Sequence, residues 1–349
     1  MMTKNGLYNV AVVGATGAVG QKILKILEEK QFPIDKLKPL SSPRSAGKKI
    51  QFNDKEITIE EATPESFKDI DIALFSAGGS ITEKLAAEAV KAGAIVIDNT
   101  SAYRMDPNVP LVVPEVNKEA LKNHQGIIAN PNCSTIQMVA ALQPIRKAFG
   151  LSRVVVSTYQ AVSGAGLDAI TELTNQTNQY LNDEEMTAEI LPAGSDKKHY
   201  PIAFNALPQI DVFTENGYTA EEMKMINETK KIMGAPDLSV AATCVRLPVI
   251  TSHAESIYIE VEQEGLTVAD IWKALEGAEG VVVQDDPSTQ TYPTPLSAAE
   301  KDDVFVGRVR KDLDNDKGFH MWVVSDNLVK GAALNTVQIA QSLITEEII

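Results

Sequence analysis

A strand that runs straight into a glycine turn and then into an amphipathic helix is the feature that most restricts what this chain can fold into. Leu7-Tyr8-Asn9-Val10-Ala11-Val12-Val13 is nearly continuous in apolar residues. Gly14-Ala15-Thr16-Gly17-Ala18-Val19-Gly20 follows at once, and Gln21 to Lys30 then places Ile23, Leu24, Ile26 and Leu27 at helical spacing. Strand, turn and helix in that order form the first half of a βαβ unit. Apolar runs recur at Ile72-Ala73-Leu74-Phe75 and Ala94-Ile95-Val96-Ile97, with a helical segment from Thr82 to Lys91 between them. Such unbroken runs suit parallel strands that helices cover on both faces. The N-terminal third therefore reads as a doubly wound α/β domain.

The pattern changes after a cysteine at position 133. Val154-Val155-Val156-Ser157-Thr158-Tyr159 reads as a strand, Leu167 to Leu181 as a polar helix, and 181–205 as loop. A charged helix is expected from Ala220 to Met233. Longer strands are expected around Val240–Arg246, His253–Gln263, Val304–Arg310 and Met321–Ser325. This mix suggests an α+β domain on a largely antiparallel sheet. Two domains also fit the length of 349 residues. The expected division is 1–132, completed by a C-terminal helix at 328–349, and 133–327. The formal charge of −15 argues against nucleic-acid binding. No apolar run is long enough to span a membrane, no secretory signal is evident, and two cysteines suit a reducing cytoplasm. The histidines and cysteines match no metal-site spacing.

The glycine turn suggests a dinucleotide site. Gly14 permits the tight turn, Gly17 lets the backbone approach a pyrophosphate at the helix N-terminus, and Gly20 lets helix and strand pack closely. The alternative is a turn that needs glycine for conformation alone. The segment after the second strand, Leu40-Ser41-Ser42-Pro43-Arg44-Ser45, lacks the acidic residue that binds a ribose 2′-hydroxyl in NAD sites. Hydroxyls and Arg44 suit a 2′-phosphate, so NADP is the expected cofactor, with a solvated basic loop as the alternative. The candidate cofactor residues are Gly14, Thr16, Gly17, Ala18 and Val19, then Ser41, Ser42, Arg44 and Ser45. A second small-residue turn adds Ser76, Ala77 and Gly78.

Cys133 lies in Asn130-Pro131-Asn132-Cys133-Ser134-Thr135, between a short strand and an apolar helix. Pro131 stops the strand and Asn132 is a good N-cap. The unpaired N–H groups of a helix start favour thiolate, which is the nucleophilic form. The competing reading is a packed cysteine. With a nicotinamide cofactor, a thiolate suggests aldehyde oxidation through a hemithioacetal and a thioester. The candidate base is His253. Arg246 precedes it by seven residues across Pro248, so that one bend would bring both into a cleft. A solvated arginine and a satisfied loop histidine are the alternative. Cys244, within a strand, reads as packing.

The glycine segment, the Asn130–Thr135 segment and the Arg246/His253 pair together resemble the aspartate-β-semialdehyde dehydrogenase family. The resemblance runs along essentially the whole chain, including Asp326-Asn327-Leu328-Val329-Lys330-Gly331-Ala332. It implies a glyceraldehyde-phosphate-dehydrogenase-like architecture, with a Rossmann-type NADP-binding domain and an α+β catalytic and dimerisation domain. It implies NADPH-dependent conversion of aspartyl 4-phosphate to aspartate semialdehyde with release of phosphate, leading to lysine, threonine, methionine and diaminopimelate. Cys133 would be the acylated nucleophile and His253 the general acid/base, which assists thiolate formation and later returns a proton. Gln160 would orient the substrate or the attacking water network. Arg246 would clamp the substrate carboxylate, and Glu221, or its neighbour Glu222, would hold the ammonium. Lys224, Arg104 and Asn132 would bind phosphate. Ser163, Gly164 and Asn327 would join the cofactor site. The family implies a homodimer through the second domain, with a tetramer also open. The rivals are a related acyl-phosphate reductase such as an N-acetylglutamyl-phosphate reductase, a non-catalytic NADP-binding regulator, and a structural Rossmann-like module.

Overall fold

Strand β1 (Tyr8–Val13) and helix α1 (Ala18–Glu29) form the expected opening in the computed structural model, which describes residues 6–349. The strand buries nearly every side chain, and α1 turns Ile23, Leu24, Ile26 and Leu27 inward. The chain continues through β2 (Ile34–Ser41), an antiparallel hairpin of β3 (Lys49–Phe52) and β4 (Lys55–Thr58), and the short β5 (Glu60–Glu61). Then come β6 (Ile72–Phe75), α2 (Gly79–Lys91), β7 (Ile95–Asp98), α3 (Pro114–Asn117) and β8 (Ile127–Ala129). Six strands form one sheet in the order β5-β2-β1-β6-β7-β8, and every pairing is parallel. Strand order reverses between β1 and β6, and open α/β sheets bind ligands at such a reversal.

The chain divides into two units. The first comprises Met1–Asn132 with Ala332–Ile349, and the second Cys133–Gly331. Within the first unit the C-terminal helix packs on α1 and α3. Asn335 fastens that helix by donating to the Val112 carbonyl (3.0 Å) and to the Asn130 side chain (2.7 Å).

The second unit begins with α4 (Cys133–Phe149), followed by β9 (Arg153–Gln160), α5 (Leu167–Leu181) and α6 (Ala220–Ile232). Next are β10 (Ser239–Arg246), β11 (His253–Glu260), α7 (Val268–Leu275), β12 (Val281–Val283) and α8 (Pro295–Ala298). It closes with β13 (Val304–Lys311) and β14 (Gly318–Ser325); the C-terminal helix, α9 (Leu334–Thr345), belongs to the first unit. The sheet order is β10-β9-β11-β14-β13-β12. Its three central pairings are antiparallel, while both edge pairings, β10 with β9 and β12 with β13, are parallel. The sheet is thus more mixed than its sequence suggests. The hairpin β3–β4, helix α7 and strand β12 have no counterpart in the sequence reading, because short or weakly patterned segments carry little periodicity.

Helices α4, α6 and α7 cover one face of this sheet. Along β9 the side chains alternate, with Val154, Val156, Thr158 and Gln160 buried and Val155, Ser157 and Tyr159 half-buried. The covered face is apolar in the middle of the sheet and polar toward one end. Rows set by strand register run Ala242, Val156, Ile257, Met321, then Cys244, Thr158, Glu255, Val323, and at the end Arg246 beside Gln160.

Candidate active site

In the first unit the glycine turn is built for close approach of main chain. Gly14 has φ +87°, and a Cβ there would stand 2.8 Å from the Ser76 carbonyl carbon. The turns after β1 and β6 therefore meet at the switch point of the sheet. A Cβ on Gly20 would lie 2.1 Å from the Gly14 oxygen, so α1 can sit this near β1 only with glycine there. Gly17 stands at the N-cap of α1 with no side-chain cap, and Ala18 and Val19 form the first turn. Nothing lies within 4 Å of a Cβ built on Gly78 or Gly79, at the start of α2. Two open helix starts at a switch point fit a dinucleotide pyrophosphate. Thr16 and Ser41 exchange a hydroxyl hydrogen bond of 2.9 Å, joining the turn to the end of β2. Ser42 and Arg44 are exposed and Ser45 half-buried on the turn that follows. Arg104 is buried in this unit, where Nε donates to the Asn130 carbonyl (3.0 Å) and Nη2 to that of Asn99 (2.8 Å). Asn132, also buried, closes the unit.

In the second unit Cys133 opens α4 and is half-buried. Gly331 packs directly against it, since a Cβ there would stand 2.8 Å from the Cys133 Cβ. Gly331 belongs to a π-helical turn, Val329–Ala333, a geometry that recurs at functional sites.

The remaining residues gather at the polar end of the sheet. Arg246 of β10 lies beside Gln160 of β9 by strand register. On the other side of β9, the Nε2 of His253 on β11 is 3.4 Å from the Gln160 amide nitrogen. The two side chains come together beside Gly164, from strands on either side of β9. Strand β9 lies between them, and residues 247–252 pass over its end. Gln160 is held by two partners: its oxygen accepts from Thr158 (2.9 Å) and its nitrogen donates to Glu221 (3.1 Å). The Arg246 guanidinium is almost fully buried; its Nη1 donates to the Ala161 carbonyl (2.7 Å), and its Nε–H finds no partner among the described residues. Burial pulls its pKa down from the ordinary value, opposed first by the Glu221 carboxylate and then by Cys133. His253 is wholly buried, and burial together with Arg246 lowers its pKa to about 3.

Helix α6 is not a solvated charged helix, for it buries Glu221, Glu222 and Glu228. Its two leading glutamates do different things. Glu222 forms a capping box with Thr219 and accepts the Cys244 N–H (3.0 Å). Glu221 instead faces Gln160 and Lys224. Lys224 bridges Asp211 (2.8 Å) and Glu221 (3.3 Å), and Asp211 was not legible from sequence. Cys244 is buried, and burial pushes its thiol pKa far up, as expected of packing. Ser163 and Asn327, expected around the cofactor, are buried and bonded to each other through side chains, and Asn327 also accepts the Ser252 N–H (2.9 Å). Gly164 lies against the row of polar residues, where a Cβ would stand 3.0 Å from Arg246 Nη1 and 3.3 Å from His253 Nε2.

Glu255 carries no signal strong enough to single it out in the sequence. It is fully buried one row below His253, and neither oxygen completes a hydrogen bond. Burial raises its pKa well above the usual carboxylate range, although the nearby Gln137 amide pulls the other way. Its alternation with His253 and Ile257 along β11 is the one pattern that points to it. Among the described residues no cluster of His, Cys, Asp and Glu could hold a metal ion, and no helix is long and apolar enough to cross a membrane.

Residues 9–124 match the family described as semialdehyde dehydrogenase, NAD binding domain, and residues 142–330 its dimerisation domain. The chain belongs to the aspartate-semialdehyde dehydrogenase family. The aspartate-semialdehyde dehydrogenase of Bacillus subtilis is 67% identical over 338 residues, covering 97% of each chain. A crystal structure of aspartate semialdehyde dehydrogenase II from Vibrio cholerae, complexed with ASA, aligns with a TM-score of 0.91 at 46% identity, covering 97% of this chain and 98% of that one. The Candida albicans enzyme crystallised with NADP aligns at 0.76 and 27% identity, covering 98% of this chain and 100% of that one. Membership makes this chain an oxidoreductase of amino-acid biosynthesis with a nicotinamide-nucleotide-binding first unit, on a Rossmann-type α/β plus α+β architecture.

Proposed function

We propose that this enzyme catalyses the reversible NADPH-dependent reductive dephosphorylation of L-aspartyl 4-phosphate to L-aspartate 4-semialdehyde and phosphate, on the route to lysine, threonine, methionine and diaminopimelate. The observation that carries the reading is the buried Arg246, whose Nε–H has no partner, set in a row with Gln160 and His253 and facing Glu221. An orphaned buried guanidinium donor is costly unless a ligand supplies an acceptor, and a substrate α-carboxylate is such an acceptor. Glu221 is the partner for the substrate ammonium, because Glu222 is committed to the helix cap. Within the second unit Lys224 is the phosphate candidate, and a phosphate there competes with Asp211 for it.

Cys133 attacks the acyl-phosphate carbonyl and becomes acylated as phosphate leaves. The α4 N–H groups favour its thiolate and the developing oxyanion. When bound, the nicotinamide supplies a hydride to the thioester carbon. Collapse of the resulting hemithioacetal releases aldehyde and restores Cys133. Gln160 and Arg246 hold the substrate throughout, and His253 interacts with the reacting carbonyl.

NADP is the preferred nucleotide in this reading. β2 ends without a carboxylate at Ser41, and Ser42, Arg44 and Ser45 follow on an open turn. Thr16, Ser76 and Ala77 of the first unit would hold the pyrophosphate, while the candidates Ser163, Gly164 and Asn327 belong to the second unit. The enzyme works in the cytoplasm as a homodimer assembled through the second unit. The sheet face opposite α4, α6 and α7, on which the short α8 packs and Tyr159 lies against Trp322 at 5.3 Å, supports that assembly. The test is spectrophotometric. Aspartate semialdehyde, phosphate and NADP⁺ should together yield NADPH absorbance, and a signal independent of phosphate sinks the assignment.

A further inference from the structure

Lys224, the phosphate candidate, already holds an anion. Asp211 Oδ2 stands 2.8 Å from its Nζ, nearer than the Glu221 carboxylate at 3.3 Å. Asp211 lies on the segment that runs from the end of β10's neighbour chain into α6. The Leu207 N–H donates to the Arg246 carbonyl (3.0 Å), and the Arg246 N–H donates to that of Leu207 (2.9 Å). Farther on, the Ala220 N–H donates to the Val212 carbonyl (2.8 Å). The segment is thus tied at both ends to the elements that carry Arg246 and Glu221.

The main chain at Asp211 is held, while its outer oxygen is committed to Lys224 alone. Gln209 Nε2 donates to the Asp211 carbonyl (3.1 Å) and to Asp196 (2.8 Å). Asp211 Oδ1 accepts the N–H of the next residue, Val212 (2.8 Å), and Oδ2 is left to meet Lys224. The residue sits at φ +68°, a left-handed conformation that Asp and Asn adopt more readily than other side chains bearing a Cβ. Lys224 does not depend on Asp211 for its place, because Glu221, one turn earlier on α6, also reaches it. The Glu221 side chain is 7% exposed and that of Asp211 37%, so Asp211 is the partner on the solvent side. Arg246 and Lys224 are the cations here and Glu221 and Asp211 the anions, and both carboxylates act on the Arg246 guanidinium. These four charges balance. A phosphate on Lys224 with Asp211 still in place would add a further anion against an ammonium shared by two carboxylates.

We propose that Asp211 is a built-in stand-in for phosphate: its carboxylate holds the Lys224 ammonium between turnovers and is displaced from it by the phosphate group of the substrate or by inorganic phosphate. This rests on Lys224 as the phosphate ligand in the reading above, and adds to it a residue that opposes phosphate binding. The carboxylate swings toward solvent about a fixed main chain and returns as phosphate leaves. Asp211 therefore lowers the affinity for phosphate and favours its release once Cys133 is acylated.

Asp211→Asn tests this in the full-length enzyme. The amide keeps an acceptor for the Val212 N–H and suits the left-handed backbone, so the charge is what changes. With aspartate semialdehyde, inorganic phosphate and NADP⁺, its KM for phosphate should fall about fivefold, as expected for loss of a half-exposed ion pair, while the KM for the semialdehyde stays unchanged. A residue that merely positions Lys224 gives the opposite sign, because a loosened ammonium binds phosphate less well. A phosphate KM that is unchanged or higher overturns the proposal. So does a higher KM for the semialdehyde, which makes Asp211 a partner of the substrate ammonium. Asp211→Ser, also uncharged, carries the same expectation if the Asn variant does not fold. In a Lys224→Gln background Asp211→Asn should no longer lower the phosphate KM, and a fall of the same size there also overturns the proposal. NADPH formation by the wild type that does not depend on phosphate removes the functional reading instead. Phosphate-dependent formation that ignores Asp211→Asn removes only this inference.

Discussion

The two units build their sites from different materials. The first uses backbone: glycines that let a turn, a helix start and a neighbouring strand end approach closely, with few side chains involved. The second gathers buried polar side chains: Arg246, His253 and Glu221 are each at most 5% exposed and lie on three different elements. The contrast follows from the ligands. A pyrophosphate can be met by N–H groups that any sequence supplies, provided no Cβ intervenes. An amino-acid substrate with an ammonium, a carboxylate and a reacting carbonyl requires side chains of opposite sign, held apart and dry.

The sharpest way to separate the units is Cys133→Ala. It should lower kcat by about 10⁴-fold or more while leaving NADPH affinity, read by fluorescence titration, unchanged. A parallel loss of NADPH binding would mean that the two sites are not separable in this way. Next comes Gly331→Ala. The added methyl would press on the Cys133 Cβ, which stands 2.8 Å from its position, and a nucleophile displaced on this scale should lose about 10²-fold in kcat. Wild-type turnover in that variant would show that the π-helical turn does not set the nucleophile's position.

Arg44→Ala tests the first unit. It should raise the KM for NADPH about tenfold and leave that for NADH unchanged, as expected for one charge-assisted contact to a 2′-phosphate. Equal effects on both nucleotides would remove Arg44 from the 2′ site. The smallest effect belongs to Glu255→Gln. The folded-state pKa of Glu255 is raised by burial, so its contribution to stability is full below the unfolded carboxylate's pKa and declines as pH rises. The Gln variant lacks that decline. Its melting temperature relative to wild type should increase between about pH 5 and about pH 8, with little change in turnover. A relative melting temperature that falls over this range means Glu255 is stabilised as a carboxylate.

The sheet of the first unit was legible because its signals are local. An apolar run, three glycines and a helical repeat all fall within Leu7–Lys30, and the structure adds only the close approach to Ser76. The second unit was legible in its elements but less so in its arrangement. Sequence spacing suggested that one bend brings Arg246 and His253 into a cleft; their side chains do converge beside Gly164, but from strands on either side of β9, which comes nearly a hundred residues earlier. The burial of the α6 glutamates was not legible, because i, i+3 spacing does not reveal which face a sheet will cover. The hairpin β3–β4 and strand β12 are too short to show a period.

By itself the sequence determined the Rossmann-type unit, the helix-start position of Cys133 and the kinds of side chain the chemistry employs, since each depends on residues adjacent in the chain. The tertiary structure decided that Glu222 serves the helix cap while Glu221 turns to Gln160 and Lys224, and that Gly331 packs on Cys133. Those depend on hydrogen bonds and packing such as Ala161 to His253, whose partners lie 92 residues apart. Chain spacing carries no record of such a pair; only the packing of β9 against β11 brings the Ala161 N–H to the His253 ring.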